Sequence, residues 1–378
     1  MKLKTANPAH KRLSVIILAG VLIVLMAATS IFLVACSNPA AESDVTAVNP
    51  IVQVDEGVSL PRFDTEVLLC SQQAKQVFDH QLAITDAVLS GAPYRPFVFE
   101  YLLEKDSGIL LLSEDVSLTN AQEFYLGKEK TSVSIDNLKT GTTYYYQVEV
   151  AGKQYSGSFQ TASANRFISV PGVENLRDIG GYKTVDGKTV KQGLLIRGCE
   201  LDGLQNEDYL VSSQDITDMQ KTFGFVFDLD LRAPDIIEGE YQSVLGDQVR
   251  HKFYDAPSYA QIFRPEYSES LREIFADLAN PDNYPMYLHC TWGRDRTGTI
   301  ILLLQGLLNV SEEDILQEYR LTGFVKASVA SSNKMDTVLM QLNAYKGDTL
   351  QEKIIDYLTT TVGVTPEEIA SIQSIFLE

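Results

Sequence analysis

The sequence predicts a multidomain chain, an all-β domain followed by an α/β domain, and three observations carry that expectation. Its 378 residues exceed one typical domain of roughly 100 to 200 residues. Residues 51–163 alternate short apolar runs with turn residues. Residues 164–378 change to strand-like apolar runs separated by stretches of helical period, the texture of an α/β domain. With 45% hydrophobic and 21% charged residues the composition is that of an ordinary globular protein. A net charge of −19 and no run of Lys or Arg after the first dozen residues argue against a nucleic-acid surface. Any anionic substrate must be met by a local positive site.

In chain order, Lys2, Lys4, Lys11 and Arg12 lead into a nearly unbroken apolar run from residue 13 to residue 35. This is the pattern of an export signal, although about 20 apolar residues could equally span a bilayer as an uncleaved anchor. The end of the run favours export: Leu33, Val34, Ala35 and Cys36 resemble the bacterial lipobox. That resemblance implies cleavage after residue 35, a lipid on Cys36, a polar tether over residues 36–50, and a place at the extracytoplasmic face of the cell membrane. Beyond Cys36 the chain has Cys70, Cys199 and Cys290, an odd set for an exported protein, so at least one thiol is expected to be free. These and His80, His251 and His289 show neither finger-type nor HExxH spacing, so neither a metal nor another cofactor is expected.

In residues 51–163, Tyr144, Tyr146, Val148 and Val150 fall on one face of a period-two strand, after a turn at Lys139, Thr140 and Gly141. Ala151 and Gly152 punctuate a hairpin into residues 155–160. The arrangement resembles the last strands of a fibronectin type III sandwich, which implies that fold for the domain. The helical-looking stretch 71–89, next to Cys70, departs from a minimal sandwich.

Residues 163–165 read as a linker. After it, residues 223–231 (FGFVFDLDL), 249–254 and 286–289 suit buried strands, and residues 297–308 (TGTIILLLQGLL), apolar almost all round, predict a buried helix. Ser311 caps the next helix, and Thr365 with Pro366 and Glu368 forms a capping box before Ile369, Ile372 and Ile375 or Phe376.

The chemistry concentrates in residues 288–298, LHCTWGRDRTG. A strand ending at His289, a tight loop and a helix starting near Thr297 would converge backbone N–H groups on one point, a nest for a tetrahedral anion. Cys290 sits at its floor, where the helix end and Arg296 favour a thiolate. Arg296, six residues on, can grip two phosphoryl oxygens, and Thr297 can donate to the sulfur.

This CX5R loop resembles that of the protein tyrosine phosphatase superfamily, and HCTWGRDRTG is similar to its bacterial tyrosine phosphatase branch, where HCxxGKDRTG is usual and Arg294 here replaces the lysine. NLRDIGGY at 175–182, GLLIRG at 193–198, DLDLRAP at 228–234 and SEEDILQEYRLT at 311–322 also resemble that family's motifs. The resemblance implies a phosphotyrosine-phosphatase-like α/β fold and a cysteine-dependent phosphatase acting on a phosphorylated protein, peptide or lipid, with a phosphocysteine intermediate and no metal. It assigns Cys290 as nucleophile, Arg296 and the amides of Thr291, Trp292, Gly293 and Arg294 as the phosphoryl cradle, and Asp295 as general acid. Asp230 is the competing acid, with pairing to Arg177 or Arg232 as its plainer role. Arg177 either contacts substrate or braces the loop through Asp178. Trp292 could stack on a phosphotyrosine ring, and Arg294 could meet a second phosphate. His289 is expected to orient Cys290, and Cys199 to be a small buried residue, a reversible bond to Cys290 being the alternative. The rival from another class is a surface adhesion or binding lipoprotein whose anion pocket is not catalytic. A rhodanese-type sulfur transferase lacks the arginine, threonine and glycine sequence seen here.

Overall fold

A computed structural model describes residues 49–378 apart from residue 84, residues 86–92, residue 130, residues 234–240 and residues 330–331. The leader, Cys36 and nearly all of the tether lie outside the described residues. Among the described residues no helix is long and apolar enough to cross a membrane.

The N-terminal part contains β1 (Ile51–Asp55), β2 (Val58–Pro61), α1 (Gln72–Phe78), β3 (Phe97–Glu100), β4 (Leu102–Leu103), β5 (Gly108–Ser113), β6 (Gln122–Leu126), β7 (Ser132–Ile135), β8 (Thr143–Val150) and β9 (Lys153–Gln160). They form antiparallel sheets in the orders β1-β2-β4, β3-β7 and β6-β5-β8-β9. Alternation along β8 buries Tyr144, Tyr146, Val148 and Val150, as the period-two pattern requires. Ala151 and Gly152 both take positive φ, 49° and 77°, giving the two-residue turn whose twist suits the β8–β9 hairpin. Phe97, Phe99, Leu110, Leu112, Tyr146 and Phe159 form one apolar core across these sheets, with Phe97 and Phe159 stacked at 4.2 Å.

The second part contains β10 (Arg177–Asp178), β11 (Leu195–Gly198), α2 (Ser213–Phe223), β12 (Phe227–Asp230), β13 (Arg250–Phe253), α3 (Ser268–Leu278), β14 (Met286–His289), α4 (Asp295–Leu307), α5 (Glu312–Arg320), α6 (Lys334–Leu342), α7 (Leu350–Tyr357) and α8 (Pro366–Phe376). Its sheet has the order β10-β11-β14-β12-β13, parallel except at β10. β14 is central and buried at every residue, and the chain leaves its carboxyl end into α4, where open α/β sheets place ligands. α4 is buried from Thr297 through Leu307, because helices or sheet cover every side of it.

Two expectations need correction. The apolar run at 223–231 is not one strand: Phe223 ends α2, Gly224 caps it in the left-handed conformation, and pairing starts at Phe227. Residues 163–165 are no free linker. Ala164 and Asn165 are buried, with α1, Phe167 and Leu321 completing a small cluster between the two parts. Arg166 reaches Asp178 at 2.8 Å and the Asn137 carbonyl at 2.7 Å, so ion pairing and burial at the junction overrode its polar, linker-like composition.

Candidate active site

The loop between β14 and α4 is shaped by Gly293. Its φ of 58° is left-handed, and a Cβ there would lie 2.1 Å from the Gly198 carbonyl oxygen, so no larger side chain fits. The resulting turn places Cys290, 3% exposed, beneath the first residues of α4. Burial pushes the Cys290 thiol up, but the Arg296 charge, the Thr297 hydroxyl and the backbone N–H groups of Thr297 and Arg294 outweigh it, and the pKa falls below the ordinary thiol value. The Thr297 hydroxyl is buried and, among the described residues, has no hydrogen-bond partner besides the Cys290 sulfur.

Arg296 donates from Nη1 to the Leu231 carbonyl at 3.2 Å and from Nη2 to Thr291 Oγ1 at 3.0 Å. Among the described residues no carboxylate pairs with it. In a chain of net charge −19, a guanidinium beside a thiol, paired by no carboxylate among the described residues, is the local positive site that an anion requires.

At the mouth, Arg294 makes a two-toothed pair with Asp295, Nε and Nη2 each at 2.8 Å from one carboxylate oxygen. Tyr259 also donates to Asp295 and shares a 2.7 Å hydrogen bond with Tyr319. Burial raises the Asp295 pKa, but Arg294 and Tyr259 overcome it and hold the carboxyl below its usual range. Trp292, 38% exposed, has the Arg294 guanidinium 4.9 Å from its ring and Lys326 Nζ 3.9 Å from it. Beside them lies a groove of about 590 Å³, bordered by Gln205, Asn206, Tyr209, Trp292, Arg294 and Lys326.

Below the loop the charged residues are buried and paired. Arg177 is not at the mouth: it lies 1% exposed and donates to Glu318 Oε1 at 2.9 Å and the Glu318 carbonyl at 2.8 Å, while Asp178 serves Arg166. Substrate contact by Arg177, and its pairing with Asp178, are therefore both set aside. Asp230 is likewise fully buried, bound by Arg232, with His251 at 3.4 Å. Despite burial, the neighbouring His289, His251 and Arg232 hold it far below the usual carboxylate range, so its carboxylate is committed to these partners. Arg232 continues to Glu200 at 2.5 Å and Asp202 at 2.8 Å. His289 sits 3.1 Å from Asp228, and its Nδ1 is 3.3 Å from the Cys290 carbonyl. Burial alone would lower its pKa, but Asp230 and Asp228 raise it to about 9. Cys199 is free and buried, and burial pushes its thiol up to about 12.

With this geometry in place, the profile of the Tyrosine phosphatase family matches residues 168–378, more than half of the chain. The chain belongs to the tyrosine phosphatase family. Among relatives, a protein named as a tyrosine-protein phosphatase in Cupriavidus necator is 28% identical over 173 residues, 39% of this chain and 59% of that protein. A probable tyrosine-protein phosphatase of Dictyostelium discoideum is 30% identical over 89 residues, 23% of this chain and 54% of that one. The chain thus spans little more than half the length of either relative. The core catalytic domain of the PP-IP phosphatase SIW14 from S. cerevisiae, solved with citrate, gives a TM-score of 0.27 at 18% identity, covering 40% of this chain and 88% of that one.

The tyrosine phosphatase loop of this chain also leans on residues that motif reading passed over: Glu318, Arg197, Asn175, Tyr259, Tyr319 and Lys326. Two carried a signal. Arg197 interrupts the apolar strand LLIRG, and Glu318 is buried on α5, and a charge in such a place needs a partner.

Proposed function

We propose that the chain is a cysteine-dependent phosphatase that hydrolyses phosphomonoesters through a phosphocysteine. The observation that carries this reading is the buried, acidified Cys290 at the start of α4, beside an Arg296 that no carboxylate pairs among the described residues. The thiolate attacks phosphorus as the ester P–O bond breaks, and Asp295 gives its proton to the departing oxygen. Water then attacks the phosphocysteine and gives a proton to Asp295. The P–S bond breaks, releasing phosphate and restoring the thiolate, to which Thr297 donates. Arg296 and the loop amides hold the equatorial oxygens in both steps. Asp295 must be protonated for the first step, and a phosphate that draws Arg294 away from it favours that state.

Phosphotyrosine on a protein or peptide is the preferred substrate in this reading: Trp292 offers an aromatic face at the mouth, and the adjoining groove can take flanking residues. A phosphoinositide is the second reading, favoured by Lys326, which has no ion-pair partner among the described residues. The lipobox-like end of the leader supports lipidation at Cys36 and a place on the outer face of the membrane, and the β8–β9 hairpin supports a fibronectin III-like domain at 51–163 followed by the catalytic domain at 164–378.

The test is a turnover panel with detergent-solubilised full chain and no added metal, using an aryl phosphate, phosphotyrosine and phosphoserine peptides and a phosphoinositide. The expected result is phosphate release that vanadate blocks and Cys290→Ser abolishes, fastest on the phosphotyrosine peptide. No release on any substrate, with tight partner binding by residues 51–163, would favour a binding lipoprotein.

A further inference from the structure

Two carbonyls on the outside of the Cys290 loop are held by side chains distant in sequence, Asn175 and Arg197. Asn175 Nδ2 donates to the Gly293 carbonyl at 2.9 Å and to the Trp292 carbonyl at 3.2 Å. Arg197 Nη2, from β11, donates to the Gly293 carbonyl as well. Its other terminal nitrogen, Nη1, is fixed by Glu318 of α5, at 2.9 and 3.0 Å from the two carboxylate oxygens. Arg177 completes the lattice, pairing with Glu318 and donating to Asn175 Oδ1. All four side chains belong to residues no more than 7% exposed.

A trans peptide unit points its C=O and the next residue's N–H in opposite directions. Pulling the Gly293 carbonyl outward therefore turns the Arg294 N–H inward, and that N–H is one of the groups acting on the Cys290 sulfur. Pulling the Trp292 carbonyl outward turns the Gly293 N–H inward in the same way. We infer that Asn175, Arg197 and Glu318 are positioning residues for this site, a clamp that aims two loop amides at the anion by gripping the opposite ends of their peptide units. None of the three touches the sulfur or the anion. Their distance from the loop in sequence, 96 residues for Arg197 to Gly293 and 118 for Asn175 to Gly293, shows that the aim is set by tertiary structure rather than by the loop motif. This inference rests on the phosphatase reading only for the identity of the anion.

Two variants of the full chain test it. Asn175→Gly deletes the amide while keeping a residue that accepts the φ of 58° found there. Arg197→Lys keeps a charge for Glu318 but loses the fork that reaches Gly293. Each is compared with wild type in its thermal melt, in the pH dependence of Cys290 alkylation by iodoacetamide, and in the protection that inorganic phosphate gives against alkylation. The clamp predicts that folded variants show a higher pH midpoint for alkylation, with the rate at neutral pH and the phosphate protection each weaker by roughly tenfold, the scale of one misdirected hydrogen bond to a charge. Variants that melt like wild type and keep its midpoint and protection would overturn the clamp. If Arg197→Lys fails to fold, Asn175→Gly alone decides. A wild-type Cys290 with an ordinary midpoint and no phosphate protection would instead strike the phosphatase reading itself, so the two failures are distinguishable.

Discussion

Cys290 and Asp295 are both biased toward their charged forms, and in the proposed mechanism only one of them works in that form. The nucleophile gains from it. The acid must recover a proton, so for substrates with poor leaving groups kcat/KM should decline as pH rises out of the acid range and place the optimum below neutrality. Asp295→Asn should cut kcat on an alkyl phosphate about a hundredfold, do much less to an activated aryl phosphate, and flatten the declining limb. Equal losses on both would show that Asp295 is not the acid. Arg294→Gln removes the strongest of the contacts holding Asp295 ionised, so the limb should move to higher pH, and an unmoved limb would deny that ion pair its role. Cys290, Gly293 and Arg296 were legible in sequence because their geometry is local: spacing along one loop is enough to bring them together. For Asp230 the structure shows the plainer of the two readings, pairing with Arg232, while Arg177 takes Glu318 in place of Asp178, a partner that becomes its neighbour only when the domain folds. A carboxylate or guanidinium in a motif looks the same whether it faces substrate or salt bridge.

Among the elements, β14, its loop and the start of α4 are one device, with His289 at its hinge. His289 has a folded pKa of about 9 against an ordinary 6.5, so its charge stabilises the fold fully below about pH 6.5, and the gain is lost as pH rises through 9. The shift corresponds to stabilisation on the order of 3 kcal/mol. Urea midpoints measured from pH 6 to 10 should fall across that window in wild type and fall less in His289→Gln. Parallel curves for the two would remove the imidazolium from the account. At the neighbouring turn, Gly293→Ala should abolish phosphate binding, because its Cβ would occupy the place of the Gly198 carbonyl. Binding at wild-type strength would mean that the loop is shaped otherwise. Element boundaries were read well where a cap marks them, as at Ser311 and at Thr365 with Glu368, whose side chains bond the backbone as their spacing requires. They were read poorly at Phe223, where a helix end and a strand share one apolar run and only Gly224 separates them.

Across the whole molecule, α1 connects the β-rich part to the helix that carries Glu318. His80 lies 3.1 Å from Asp314, Gln317 donates to the Val77 carbonyl at 3.0 Å, and Ala74, Val77, Phe167 and Leu321 share one apolar cluster. The contact predicts a single cooperative thermal transition for the full chain, and Val77→Asp, which buries an unpaired carboxylate in that cluster, should lower it by several degrees and weaken phosphate protection of Cys290. Two separate transitions, the catalytic one unaffected by Val77→Asp, would mean that the parts only share a chain. The sequence marked the change of texture near residue 163 but not this docking, since α1 was visible only as a departure from a sandwich and its partner lies more than 230 residues away. An acid-quenched turnover of an aryl phosphate followed by peptide mass spectrometry reads directly which residue carries the phosphoryl group. A phosphoryl adduct on Cys290 that disappears in Cys290→Ser is expected, whereas turnover with the phosphoryl group on any other residue, or with Cys290→Ser fully active, would rule out Cys290 as the nucleophile.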